Sequence, residues 1–134
     1  MKNIIWIFIL ILCSCSVVEE RQDWSFIESV GGINVGAQDK NPNWLILRGD
    51  VSGLHEFSVK PTQLNSALAL KSVEASADNP AINLYVTTTV ISKKFSTTKI
   101  EGADISSVKA GQYTVQYLNK DGSVVKIGNV TIHR

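Results

Sequence analysis

A period-two alternation of apolar and polar residues limits what this chain can fold into more than any other feature. In the stretch INLYVTTTVI, residues 82–91, the side chains of Ile82, Leu84 and Val86 share one face and polar side chains share the other. A strand with one buried face has this pattern, because successive side chains point to opposite sides of a sheet. From Trp24 onward, Gly, Asn, Asp and Pro interrupt such stretches at intervals of roughly 8–12 residues. The pattern predicts short strands joined by turns.

The last part of the chain has the strongest hairpin signal. GQYTVQYL alternates, NKDG supplies turn residues, and SVVKIGNVTI returns. On the returning strand the apolar positions are odd-numbered up to Ile127 and even-numbered from Val130 onward. One extra residue must be absorbed between them, so we expect a β-bulge at Gly128-Asn129.

Further strands are predicted in four stretches of the first half: WSFIESV, INVGAQ, NWLILRG and GLHEFSVK. The first two flank Gly31-Gly32, which suits a tight hairpin turn. Residues 62–72 are interpreted as a loop leading into a strand, although Leu64 and Leu68 would share a helix face. Seven or eight strands predict an all-β sandwich over residues 24–134, immunoglobulin-like or transthyretin-like, with a small closed β-barrel as the alternative.

The N-terminus has a different character. Residues 4–12 form an apolar run, IIWIFILIL, that follows Lys2. A bilayer span takes about 20 residues in a helix, whereas the apolar region of a secretory signal peptide takes about 7–15. The run is therefore interpreted as a signal peptide, with an uncleaved signal anchor as the alternative. Both cysteines of the chain, Cys13 and Cys15, come directly after it.

The segment Leu12-Cys13-Ser14-Cys15 resembles the lipobox of bacterial lipoproteins. In that family an aliphatic residue at −3 and a small residue at −1 precede the cysteine that is lipidated and becomes the mature N-terminus. The resemblance implies residues 1–14 as the signal peptide, Cys15 as the lipidation site, and residues 15–23 as the lipidated N-terminus with a short tether. A disulfide between thiols two residues apart would be strained, and no His or third Cys lies near enough for a metal site.

The tail AGQYTVQYLNKDGSVVKIGNVTI resembles the last hairpin of many bacterial immunoglobulin-like modules, and the chain is similar in its landmarks to small exported bacterial proteins of uncharacterised role. With Ser16 rather than Asp after the cysteine, the lipoprotein resemblance implies an outer-membrane lipoprotein that faces the periplasm. No activity follows from either resemblance.

Candidates for chemistry are few. His55 beside Glu56, near Asp50, is the only cluster that suggests a metal or acid-base site, and alternation would place the first two on opposite faces. His133 is penultimate. No phosphate loop, nucleophile elbow or paired histidine motif is present. We therefore expect no catalytic residues, no metal site and no cofactor, and we expect that the protein is not an enzyme.

The charge gives no indication of a nucleic-acid partner, since 13 basic and 12 acidic residues nearly balance. The expected partners are the membrane, through lipid on Cys15, and an unidentified envelope protein. Two functions are open: a non-catalytic binding or structural accessory module, or a periplasmic inhibitor or immunity protein that acts against an envelope hydrolase. An inhibitor needs a protruding loop, and residues 38–43 and 92–110 are the candidates.

Overall fold

The computed structural model describes residues 19–59 and 62–134, with side chains described at 19–53 and 67–134. Over these residues the chain forms nine strands and one short helix, in two open sheets. The elements are β1 (Glu19–Gln22), α1 (Trp24–Ser29), β2 (Ile33–Gln38), β3 (Trp44–Asp50), β4 (Leu54–Val59), β5 (Thr62–Asp78), β6 (Ala81–Val90), β7 (Lys99–Asp104), β8 (Gly111–Leu118) and β9 (Val124–Ile132). The predicted all-β sandwich is confirmed, and the alternative of a closed barrel is not adopted.

One sheet has six strands and the other has three. The larger sheet runs β4-β5-β6-β8-β9, and the smaller runs β2-β3-β7. Strand β1 also pairs with β6, on the same edge as β8. The first half of β6 pairs with β8 in parallel, from Ala81↔Thr114 to Leu84↔Tyr117, and the second half pairs with β1 antiparallel, from Val86↔Gln22 onward. Two strands therefore share one edge of β6.

The prediction of a strand at WSFIESV is wrong, because these residues form α1. Gly31 and Gly32, at φ +120° and +78°, end this helix instead of turning a hairpin. The Gly32 N–H donates to the Ile27 carbonyl at 2.8 Å and the Gly31 N–H donates to the Glu28 carbonyl at 3.2 Å, which is a Schellman motif. Trp24 and Ile27 are three residues apart, a spacing that places them on one face of a helix. The same residues also fit the alternation of a strand, so the sequence pattern allows either structure.

The segment interpreted as a tether, residues 15–23, contains β1. Glu19 pairs with Thr89 and Gln22 pairs with Val86, so β1 is a full member of the larger sheet. With this strand, the described residues form nine strands, where the sequence predicts seven or eight. The described part of the domain therefore begins at Glu19, five residues earlier than the sequence pattern indicates.

Residues 62–72, interpreted from the sequence as a loop leading into a strand, lie within the 17-residue strand β5. Its first part pairs with β4, from Ala67↔Leu54 to Thr62↔Val59, and its remainder pairs with β6 from Leu68↔Val90 onward. The β4–β5 hairpin therefore continues past the last residue of β6. Six residue pairs at about 3.4 Å each give it a length of roughly 20 Å.

The core lies between the two sheets. The face of β6 predicted to be buried is confirmed, with Ile82, Leu84 and Val86 at 0% exposure, and the apolar run NWLILRG contributes Leu45 and Leu47 from the centre of the smaller sheet. The predicted bulge is found within one residue of its expected place: Val115 pairs with Gly128 and Gln116 with Lys126, which leaves Ile127 as the extra residue.

Three further contacts bring the two sheets together. The Gln38 side chain donates from Nε2 to the His133 carbonyl at 2.9 Å and accepts at Oε1 from the His133 N–H at 2.8 Å, in the manner of a strand partner. A Cβ on Gly128 would lie 2.9 Å from the Val35 Cβ, so β9 approaches β2 at a distance that only glycine allows. At the other edge, the Leu70 N–H donates to the Thr97 carbonyl at 2.8 Å.

Candidate functional site

The one site residue predicted from the sequence, Cys15, lies outside the described residues, as does the apolar run before it. The described chain nevertheless fixes where that segment joins the domain. It joins at Glu19, where β1 lies opposite Thr89 near the end of β6. We call this end of the sandwich the Glu19 end; it comprises Glu19, residues 50–53, Leu68 and residues 90–98. The opposite end, with residues 78–80, 105–110 and 133–134, is called the Pro80 end.

Strand β1 is locked to the domain by the hydroxyl of Tyr117. This hydroxyl donates to the Gln22 carbonyl at 2.5 Å and accepts from the Val86 N–H at 3.0 Å. The hydroxyl therefore lies between two residues that are paired across β1 and β6. This is the point on the edge of β6 where pairing with β8 ends and pairing with β1 begins. Tyr117 has no exposed surface, and burial raises its pKa to about 12.

Side chains of β1 add to this lock. Gln22 is 2% exposed and donates from Nε2 to Oγ1 of the buried Thr88 at 2.8 Å. The Arg21 guanidinium lies 4.1 Å from the centre of the Tyr85 ring and donates to the Leu118 carbonyl at 2.9 Å. Polar groups on both faces of β1 therefore hold it in place, and the threonine-rich stretch of β6 that it covers is partly internal.

The loop between β6 and β7 forms the exposed surface of the Glu19 end. The Ser92 N–H donates to the Phe95 carbonyl at 2.8 Å, and the Ser92 hydroxyl accepts from the Phe95 N–H at 3.2 Å. This tight turn places Lys93 and Lys94 at its tip, both exposed. Ile91, at the base of the turn, is 46% exposed, which is high for a large aliphatic side chain.

The charges of the Glu19 end are unevenly matched. Glu19 forms a salt bridge of 2.5 Å with Lys71. A hydrogen bond from the Ser52 backbone lowers the pKa of Asp50, and the nearby Lys99 lowers it further. Within the described residues, no carboxylate forms a salt bridge with Lys93 or Lys94. The tip of the loop is therefore a positive spot beside an exposed aliphatic side chain.

The histidine and acid candidates are not brought together into a described site. His55 and Glu56 are consecutive in β4, paired with Ser66 and Asn65, and their side chains lie outside the described set. His133 is exposed at the Pro80 end. Within the part of the chain that the structure describes, no group of three His, Cys, Asp or Glu side chains is close enough to hold a metal ion.

Three Asp-x-Ser turns form a pattern that the sequence reasoning missed. In each, an Asp Oδ1 accepts from the backbone N–H of the Ser two residues later, at 2.7 Å for Asp50, 2.7 Å for Asp104 and 2.9 Å for Asp121. Hydrogen bonds from these serines hold the pKa of each of the three aspartates below the ordinary value. The repeated spacing was the available signal, since Asp favours turns of this kind. Their role is to shape loops.

The two loops considered for an inhibitor are both tied to the sandwich. In residues 38–43, the Asp39 N–H donates to the Trp44 carbonyl at 2.9 Å and Gln38 Nε2 donates to the Pro42 carbonyl at 2.8 Å. In the 92–110 segment, which includes β7, the Val108 carbonyl accepts from Arg134. The element that projects from the sandwich is instead the β4–β5 hairpin.

The Arg48-Gly49-Asp50 tripeptide and the tryptophans Trp24 and Trp44 have structural roles. The Arg48-Gly49-Asp50 tripeptide lies in β3, where Gly49 pairs with both Ile33 and Ile100, so it is part of the sheet. Trp24 packs against Tyr117 with ring centroids 5.5 Å apart. Trp44 is half-buried and lies over β7: a Cβ on Gly102 would be 2.3 Å from its Nε1. Among the described depressions, the one lined by Pro80, Tyr113 and Val130 is shallow and open.

Within the described residues, no helix combines the length and the apolar character needed to cross a bilayer. Comparison with protein-family models, with curated proteins and with solved structures found no match.

Proposed function

We propose that this protein is a non-catalytic binding or structural module of a bacterial envelope, held at the outer membrane by lipid on Cys15 and facing the periplasm. The observation that carries the proposal is the position of β1. Only residues 16–18 separate Cys15 from Glu19, and Glu19 is already paired with Thr89. Four residue steps span at most roughly 14 Å. A lipid on Cys15 would therefore hold the sandwich against the membrane surface.

The β4–β5 hairpin supports a binding role at that surface. It continues past β6 at the end where Glu19 lies, so it projects from the side that the anchor would bring to the membrane. A partner that meets this hairpin would be membrane-bound or close to the membrane. The same hairpin would serve the second candidate, an inhibitor or immunity protein, because such a protein blocks an envelope hydrolase with a projecting element.

The experiment that tests the proposal changes the distance between anchor and domain. An insertion of about 20 Gly/Ser residues between Val18 and Glu19 leaves Cys15 and β1 intact, and its ends average roughly 25 Å apart. After cross-linking in intact cells, we expect envelope partners captured with the unaltered chain to be depleted with the insertion variant. A single-Gly insertion at the same place is the control and should capture them normally. Unchanged capture with the long insertion, or with a Cys15→Ser variant, would contradict the proposal.

The inhibitor alternative is distinguished by what is captured. Enrichment of a peptidoglycan-cleaving or lipid-cleaving enzyme, together with its inhibition by the purified chain, would establish that alternative in place of the accessory role. Enrichment of envelope proteins without hydrolytic activity would support the accessory role.

A further inference from the structure

The Glu19 end of the sandwich exposes Ile91, Lys93 and Lys94 at one turn. We propose that this end, through the turn at residues 91–95, rests on an anionic lipid surface. The inference rests on the proposed function, because it takes the anchor to lie at Cys15, and it adds a second and weaker contact between the domain and the bilayer.

The first step is position. Ile91 follows β6 only two residues after Thr89, the partner of Glu19, so the turn begins next to the place where the N-terminal segment enters the domain. Adjacent strands lie about 4.8 Å apart and a strand rises about 3.4 Å per residue, so the Cα atoms of Glu19 and Ile91 are roughly 8 Å apart. The reach between Glu19 and Cys15, at most roughly 14 Å, is shorter than the β4–β5 hairpin at the same end, roughly 20 Å long. An anchor at Cys15 therefore brings the turn within reach of lipid headgroups when the hairpin lies along the membrane surface.

The second step is chemistry. Ile91 is 46% exposed, and Phe95 is half-buried with the Lys94 ammonium 5.4 Å from the centre of its ring. Lys93 and Lys94 are exposed at the tip, and the acids of this end, Glu19 and Asp50, are each beside another lysine. A short aliphatic and aromatic patch beside lysines that form no salt bridge with any described carboxylate fits the boundary between acyl chains and anionic headgroups.

The third step is rigidity. The turn is closed by the two hydrogen bonds between Ser92 and Phe95, and the segment after it is fixed by Thr97 and Thr98, whose carbonyls accept from Leu70 at 2.8 Å and Val51 at 2.9 Å. The surface is therefore preformed, and contact with lipid needs little ordering of the loop. The gain per lysine near an anionic surface corresponds to about a fivefold change in the docking equilibrium.

The experiment uses the full chain, isolated from membranes with its lipid and reconstituted in vesicles. In a Cys13→Ser background a lipidated Cys15 leaves no free thiol, so one fluorescent probe can be placed at Ser96→Cys beside the turn or at Ser107→Cys at the Pro80 end. Both positions are exposed. Quenching by a bilayer-embedded quencher is compared between vesicles with about 30% phosphatidylglycerol and vesicles of phosphatidylcholine alone.

We expect quenching at Ser96→Cys in the anionic vesicles, little in the neutral ones, and none at Ser107→Cys in either. Lys93→Gln with Lys94→Gln should weaken docking by about 25-fold, or about fivefold for each lysine. The matched control, Lys109→Gln with Lys126→Gln, removes two exposed charges elsewhere and should leave the quenching unchanged.

Four outcomes would overturn the inference. Equal exposure of the Ser96 and Ser107 probes on a chain that mass analysis shows to be lipidated would refute the docking and leave the anchor intact. Protection of the Ser96 probe without quenching by lipid would assign the surface to a protein, either a second copy or another partner. Quenching at a probe on Ser58 of β4 but not on Ser96 would mean that the hairpin alone reaches the lipid. A chain without lipid on Cys15 would overturn the proposed function together with this inference.

Discussion

Replacement of Tyr117 by Phe tests how β1 is held in the domain. The substitution keeps the ring and removes the hydroxyl that donates to the Gln22 carbonyl at 2.5 Å and accepts from the Val86 N–H at 3.0 Å. Because the hydroxyl stands between the two strands, the phenylalanine edge would block these groups from meeting directly. A buried group left without its hydrogen bond costs about 1–3 kcal/mol, so for the two groups together we expect a loss of about 2–6 kcal/mol in the free energy of unfolding.

The measurement is urea unfolding in mild detergent, followed by tryptophan fluorescence, to which Trp24 contributes from 5.5 Å beside the Tyr117 ring. Tyr113→Phe is the matched control. That hydroxyl donates to the carbonyl of Lys109 at 2.9 Å in a partly buried position, where water can replace it, so its loss should cost below about 1 kcal/mol. Equal destabilisation by the two substitutions would refute the lock between β1 and β6.

Three further predictions concern pH and packing. Burial raises the pKa of Tyr117 from 10.0 to about 12, so the neutral hydroxyl favours the folded state. This contribution to the free energy of unfolding is complete below the unfolded pKa of 10.0 and is lost as the pH rises towards 12. The free energy of unfolding should therefore fall less steeply with rising pH in Tyr117→Phe than in the unaltered chain. In the three Asp-x-Ser turns the aspartate pKa is lowered, so these carboxylates stabilise the folded state above the ordinary aspartate pKa and lose this effect as the pH falls. Asn at these positions keeps a hydrogen-bond acceptor, so the stability of that variant should depend less on pH in acid unfolding monitored by circular dichroism. Gly102→Ala should lower the free energy of unfolding by about 1–3 kcal/mol in the same urea assay, because its Cβ would lie 2.5 Å from the Leu45 carbonyl oxygen and 2.3 Å from Trp44 Nε1; a change below about 0.5 kcal/mol would contradict the close packing of Trp44.

The fold class could be predicted from the sequence because the period-two alternation is strongest where strands bury one face, as in β6 and β8. The sequence reading failed where a local pattern has two solutions. Gly31-Gly32 can turn a hairpin or end a helix, and the choice is made by hydrogen bonds to Ile27 and Glu28 and by burial of Ile27 at 1% exposure. Local sequence patterns do not predict this tertiary packing of Ile27.

At the candidate site, too, the sequence predicts some features and not others. Glu19-Glu20-Arg21-Gln22 is polar and lacks the β-branched residues typical of a strand, so the sequence predicts a tether there. It becomes a strand because an edge of β6 is open beyond Leu84 and because Tyr117, distant in sequence, supplies the bridging hydroxyl. Lys93 and Lys94 lie in the 92–110 segment that the sequence offers as a protruding loop, but the place of their turn beside Glu19 follows only from the pairing of β1 with β6.

The central claim, that Cys15 anchors the domain against a membrane, is tested most directly by the mass of the N-terminal tryptic peptide of the membrane-isolated protein. Trypsin cleaves after Lys2 and Arg21, so the two possible states give different peptides. We predict a peptide that begins at Cys15, ends at Arg21 and carries a lipid on the cysteine, both in the unaltered chain and in Cys13→Ser. A peptide that runs unmodified from Asn3 to Arg21, or one that carries the lipid on Cys13, would contradict the claim.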